Sequence, residues 1–137
     1  MQFIVDKTGY PIMIDPCRRA PGDLYMLLAK YTTDVDYPME IVKAETGLGI
    51  NDAYRCSHNF VARQCIMSDK NGVIDNIYIP EDIRKYIIDS NIWGKSGDKI
   101  LDFMKYKAGI LLMKFSNYKE MTEKLKDFHK LIKIEVK

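Results

Sequence analysis

Two short apolar runs, Phe3–Val5 and Ile12–Ile14, flank Asp6-Lys7-Thr8-Gly9, a stretch of turn-forming residues, and so predict a β-hairpin. Pro11 falls at the start of the second strand, where a missing N–H is tolerated. Asp15-Pro16 has the form of a helix cap followed by proline at the first helical position, but Pro21-Gly22 interrupts any such turn. The spacing of Leu24, Leu27, Leu28 and Tyr31 predicts a helix over 24–31 with Asp23 as its cap. In residues 34–50 the period is ambiguous. Pro38 to Gly47 reads as a short helix, although Met39–Lys43 also alternates as a strand would. Asn51 is placed to cap a helical stretch reaching to about Asn59.

The second half is more sharply patterned. Phe60–Met67 and Val73–Ile79 are β-prone runs around Asp69-Lys70-Asn71-Gly72, which predicts a second hairpin. In that register Arg63 pairs with Tyr78, cation against ring. Pro80-Glu81-Asp82 predicts a helix start with Ile83, Tyr86 and Ile87 on its apolar face. Residues 91–97, with the single tryptophan Trp93, read as a loop. Asp98 to Gly109 reads as a helix carrying Ile100, Leu101, Met104 and Ala108. Ile110-Leu111-Leu112-Met113 is continuously apolar, as in a strand covered on both faces. Asn117 and Glu120 have capping-box spacing for a helix from Tyr118 to about Lys130, and Ile132–Val136 alternates as a strand. The expectation is an α+β fold in one domain, residues 1–137. It has one mixed sheet built from two β-hairpins and a C-terminal β-α-β unit, with three to five packed helices.

Composition narrows the class. At 137 residues and 47% hydrophobic, the chain can bury a core without disulfide or metal, and disorder is excluded. No apolar run reaches the length of a membrane span, and Met1–Lys7 lacks the pattern of a secretory signal. Cys17, Cys56 and Cys65 show no Cys-x-x-Cys spacing and fit free thiols in a reducing cytoplasm. A zinc site would need all three to converge with His58, and neither metal nor cofactor is expected.

Charge is uneven: residues 1–98 have a net charge of −3, and residues 99–137 a net charge of +5. On the helix from Tyr118, Lys119, Lys126 and Lys130 lie opposite Met121, Leu125, Phe128 and Ile132. They are interleaved with Glu123 and Asp127, the pattern of a solvated outer face rather than a phosphate-gripping one. Lysine supplies 16 of the 21 basic residues, yet four of five arginines lie within residues 18–63. Guanidinium grips carboxylate or phosphate with a planar fork. Arg18, Arg19, Arg55, His58, Asn59 and Arg63 are therefore the candidate ligand-binding residues, with Arg55, His58 and Asn59 sharing a face if that stretch is helical.

No catalytic residue is assigned. Gly94-Lys95-Ser96 ends like a P-loop, but position 89 is Asp89 where glycine is required. Gly47-Leu48-Gly49 lacks the third glycine of a dinucleotide fingerprint. These readings favour a small cytosolic binding or regulatory protein, of the kind a phage or mobile element uses to inhibit or sequester a host component. Its partner would be a host protein or a small anionic, nucleotide-like ligand; homo-oligomerisation is left open. The alternatives are a small enzyme using Cys17 and His58 on a phosphorylated or nucleotide-like substrate, and a nucleic-acid-binding protein using the basic C-terminal third.

Overall fold

The computed structural model describes residues 2–15, 20–50 and 57–137. The chain opens with β1 (Gln2–Val5) and β2 (Pro11–Asp15), paired antiparallel as their turn chemistry requires. The Asp6 carboxylate closes that turn by accepting from the backbone N–H groups of Thr8 and Tyr10. Then come α1 (Tyr25–Thr33) and α2 (Tyr37–Thr46). The ambiguous segment is thus helical: Asp36 accepts from the Met39 N–H at its start, and Gly47 ends it at φ 73°.

Six further strands follow: β3 (Phe60–Met67), β4 (Gly72–Tyr78), β5 (Ile87–Ile92), β6 (Lys99–Ile100), β7 (Lys107–Phe115) and β8 (Lys133–Val136). The short α3 (Glu81–Arg84) precedes β5, and α4 (Tyr118–Leu131) links β7 to β8. The fold is α+β. Its strands form the β1–β2 ribbon and two three-stranded sheets, β3-β7-β5 and β6-β4-β8, in place of one sheet. β3 and β4 do not pair with each other, so the expected 60–79 hairpin is corrected: Arg63 faces Leu112 of β7, and Tyr78 faces Lys133 of β8. A local turn is entropically cheap, but β3 gains more as the neighbour of the most apolar strand in the chain. The predicted helix over 98–109 is also absent. Its span divides into β6, a turn and the start of β7, and Ile100 and Ala108 are buried from strands instead. β5 takes up Ile87, expected on a helix, and Asn91 and Ile92, expected in a loop.

The core lies between the two sheets and under α4. Leu111, Met113 and Phe115 of β7 meet Ile74 of β4, Ile134 of β8 and Phe128 of α4. The Tyr86 ring stacks on Phe115 at 5.0 Å and its hydroxyl donates to Glu120 Oε1 at 3.1 Å, tying α4 to the sheet. The helix begins as its sequence predicts, with Asn117 Oδ1 accepting from the Glu120 N–H at 2.9 Å. Glu120 Oε2 reaches back to the Ser116 N–H, also at 2.9 Å. Lys119, Lys126 and Lys130 are exposed. The other face of β3-β7-β5 is covered by α1, which explains why Ile110 to Met113 is buried on both sides. Among the described residues no helix is long and apolar enough to cross a membrane.

Candidate functional site

β3 carries Arg63 and Cys65 on the face turned toward α1, since residues two apart in a strand share a side. Helix and strand are fastened at both ends. At one end, Asn59 Nδ2 donates to the Tyr31 carbonyl at 3.0 Å, and the backbone N–H groups of Ser57 and Asn59 donate to Thr33 and Thr32. At the other, Arg63 lies over the Tyr25 ring at 4.6 Å. The match is geometric: four residues of strand and nine of helix both span about 13 Å. Tyr31 adds a third tie by donating to Asp89 Oδ2 of β5 at 2.9 Å.

Asp23, expected to cap α1, does something else. Asp23 and Leu24 both have left-handed backbone, φ 58° and 61°, and Leu24 occupies the cap position with no side-chain bond. The Asp23 carboxylate turns outward instead. Arg63 Nη2 donates to Asp23 Oδ2 at 3.0 Å, and Arg63 Nε donates to the Asp23 carbonyl at 2.6 Å. Lys107 of β7 donates to the same Oδ2. Lys107 also stands 5.9 Å from the centre of the Trp93 ring, and Arg63 Nη1 donates to Cys65 Sγ at 3.2 Å. Two cations therefore converge on one carboxylate oxygen between two exposed aromatic rings, Tyr25 and Trp93. The bond from Lys107 holds the Asp23 carboxyl below the usual carboxylate range against its partial desolvation, and the Lys107 and Arg63 charges act the same way as the bond.

Lys107 arrives there by way of a β-bulge. In β7 the pairing passes from Ile66 opposite Gly109 to Met67 opposite Lys107, so Ala108 is skipped. Strict alternation would point Lys107 with Leu111 and Met113 into the core. The extra residue moves it to the Arg63 side while Ala108 is buried. The Ala108 carbonyl accepts from both Trp93 and Gly94 N–H groups, at 2.9 and 2.8 Å, which fixes the tryptophan beside the lysine. Gly94 serves this approach, not a phosphate loop: a Cβ there would come within 2.6 Å of the Ala108 Cβ.

Of the residues singled out from sequence, Arg63 sits in this cluster. His58 is exposed and Asn59 is a structural tie; both lie at the opposite end of α1, and Ser57–Asn59 is not helical. Arg18, Arg19, Arg55, Cys17 and Cys56 lie outside the described residues. Asp23, Tyr25, Trp93 and Lys107 were not among the candidates. An isolated glycine, Gly109, inside a strand-like run is the sequence signal that could have exposed the bulge. Two clefts lie elsewhere. One of about 370 Å³ is lined by Lys70, Lys133, Asp69, Glu135 and His129, the other of about 540 Å³ by Lys85, Lys114, Tyr86 and Glu120. Both mix opposite charges without a carboxylate shared between cations.

The fold is shared with much larger enzymes. The crystal structure of an L-amino acid ligase from Bacillus licheniformis superposes with TM-score 0.80 at 16% identity, over 98% of this chain and 36% of that one. A phosphoribosylglycinamide synthetase from Anaerococcus prevotii gives 0.71 at 15% identity, with the same coverage of each chain. The chain thus spans just over a third of each structure, and at these identities the likeness establishes the fold alone. No family model and no curated protein matches the chain.

Proposed function

We propose that this chain is a binding or regulatory protein that recognises a small oxyanion, carboxylate or phosphate, at the Arg63–Lys107 pair. The observation that carries the reading is the convergence of both cations on Asp23 Oδ2 between Tyr25 and Trp93. A guanidinium fork held by packing and an ammonium beside it together match the geometry of either oxyanion. The Arg63 side chain is only 10% exposed, so its fork is fixed before any ligand arrives. The names of the two structural neighbours speak of molecules with amino-acid or phosphate groups, which supports the same ligand class. The test is calorimetric titration of phosphate and small carboxylates into the chain and its Arg63→Lys and Lys107→Gln variants. Binding should be present in the parent and weakened by about tenfold or more in each variant, since charge-assisted bonds contribute roughly 1.5–3 kcal/mol. Equal affinity in all three proteins would refute it.

A second reading is an enzyme acting on a phosphorylated or nucleotide-like substrate, and the words ligase and synthetase in the neighbours' names favour it. Cys17 and His58 would then be tested by thiol alkylation and by His58→Gln. Turnover lost in both would support the enzyme. Ligand binding that survives both, with no turnover, supports the binding protein.

A further inference from the structure

Resting on the oxyanion reading, we propose that Asp23 is a displaceable internal occupant of the Arg63–Lys107 site, and that the ligand replacing it carries a flat ring as well as its oxyanion. The Asp23 side chain is 51% exposed, so nothing buries it in place. The Asp23 carboxylate takes one bond of the Arg63 fork, from Nη2, while Nε goes to the Asp23 backbone carbonyl, so a ligand oxyanion that takes both bonds is the stronger partner. The backbone favours release as well. Asp23 and Leu24 sit consecutively in the left-handed region, which is uncommon for a bulky residue such as Leu24, and the Asp23 bonds to Arg63 and Lys107 hold that turn. Letting go of the cations frees that pair of residues to relax. The ring is asked for by Trp93. Its indole is 44% exposed beside Lys107, anchored through backbone bonds to Ala108, and offers a stacking surface next to the oxyanion position.

The experiment titrates three probes, inorganic phosphate, adenosine 5′-monophosphate and benzoate, into the parent chain and its Asp23→Asn and Trp93→Ala variants. An occupant that fills the site nine-tenths of the time reduces apparent affinity about tenfold, so Asp23→Asn should tighten whichever probes bind by about that factor. Trp93→Ala should weaken the two ring-bearing probes at least severalfold more than it weakens inorganic phosphate. Adenosine monophosphate against benzoate then separates a phosphate source from a carboxylate one. If Asp23→Asn binds no tighter than the parent, displacement is overturned while the oxyanion reading stands. If neither protein binds any probe, the oxyanion reading itself fails. Equal weakening of all three probes by Trp93→Ala overturns the ring. Should Asp23→Asn not fold, carbon-detected NMR of the parent decides: the Asp23 carboxyl pKa should return to the ordinary range at saturation, and a pKa that stays low overturns displacement.

Discussion

β7 and the β1–β2 ribbon are built from nearly the same residues and end in opposite surroundings. Ile110, Leu111, Leu112 and Met113 are at most 1% exposed, covered by α1 on one side and the β4–β8 pair and α4 on the other. Phe3, Ile4, Val5, Ile12, Met13 and Ile14 are at least 50% exposed, on both faces of the ribbon. A continuous apolar run is a request for two covers, and only β7 receives them from the described residues. The contrast teaches that identical patterns carry different energies. β7 contributes the dispersion and desolvation gain of a close-packed core, whereas the ribbon contributes little beyond its own ladder and turn.

The contrast is broken most strongly by truncating each region in turn. Leu111→Ala should lower unfolding free energy by about 2–5 kcal/mol, and Ile12→Ala should change it by less than about 0.5 kcal/mol. Urea denaturation at fixed protein concentration measures both, and a comparable loss at Ile12 would mean that the ribbon is packed. Next in size is the α4 start: Asn117→Ala should cost roughly 1 kcal/mol by the same assay. Smaller again is the response to acid. Asp6 is held below the usual carboxylate range first by the Thr8 hydroxyl and then by Tyr10 and Thr8 N–H groups. A carboxylate with a depressed folded pKa stabilises above its unfolded value, near 3.9, and that stabilisation is lost as pH falls through the folded one. Acidification below about pH 4 should therefore raise amide exchange in the ribbon turn before it does so in β7. Hydrogen exchange read residue by residue checks the order. The smallest effect on stability comes from replacing Ile12 and Ile14 together with lysine. Melting should be unchanged, while light scattering at high concentration falls, because charged side chains discourage strand edges from associating.

Legibility followed locality. The first ribbon, α4 and β8 were readable because cap residues, turn residues and period all lie within a few positions of one another, whereas the period over 34–50 fitted helix and strand alike and left α2 ambiguous. The misread regions, 60–79, 87–92 and 98–109, needed partners far along the chain. The 60–79 segment has every local feature of a hairpin, and the competition that separates β3 from β4 is with Leu111 and Leu112, nearly fifty residues on. Over 98–109 the apolar spacing of Ile100, Leu101, Met104 and Ala108 imitates a helix, yet Leu101 and Met104 are strongly exposed on a turn. The site was half visible. Arginine usage pointed to Arg63, but Asp23 and Lys107 stand 84 residues apart in sequence and meet only through the fold.

A strand stores one binary choice per residue, inward or outward, and each value is set by the one before it. The skipped pairing at Ala108 is a flipped parity bit in that record: everything from Ile110 onward keeps its side, and Lys107 is inverted. The same sequence paired without that skip, Ala108 taking its turn in the ladder, would spell the core of β7 unchanged and send an ammonium group into it. The cluster at Arg63 thus depends on one residue being left out of the pairing, which a change of register can undo even where every side chain stays the same.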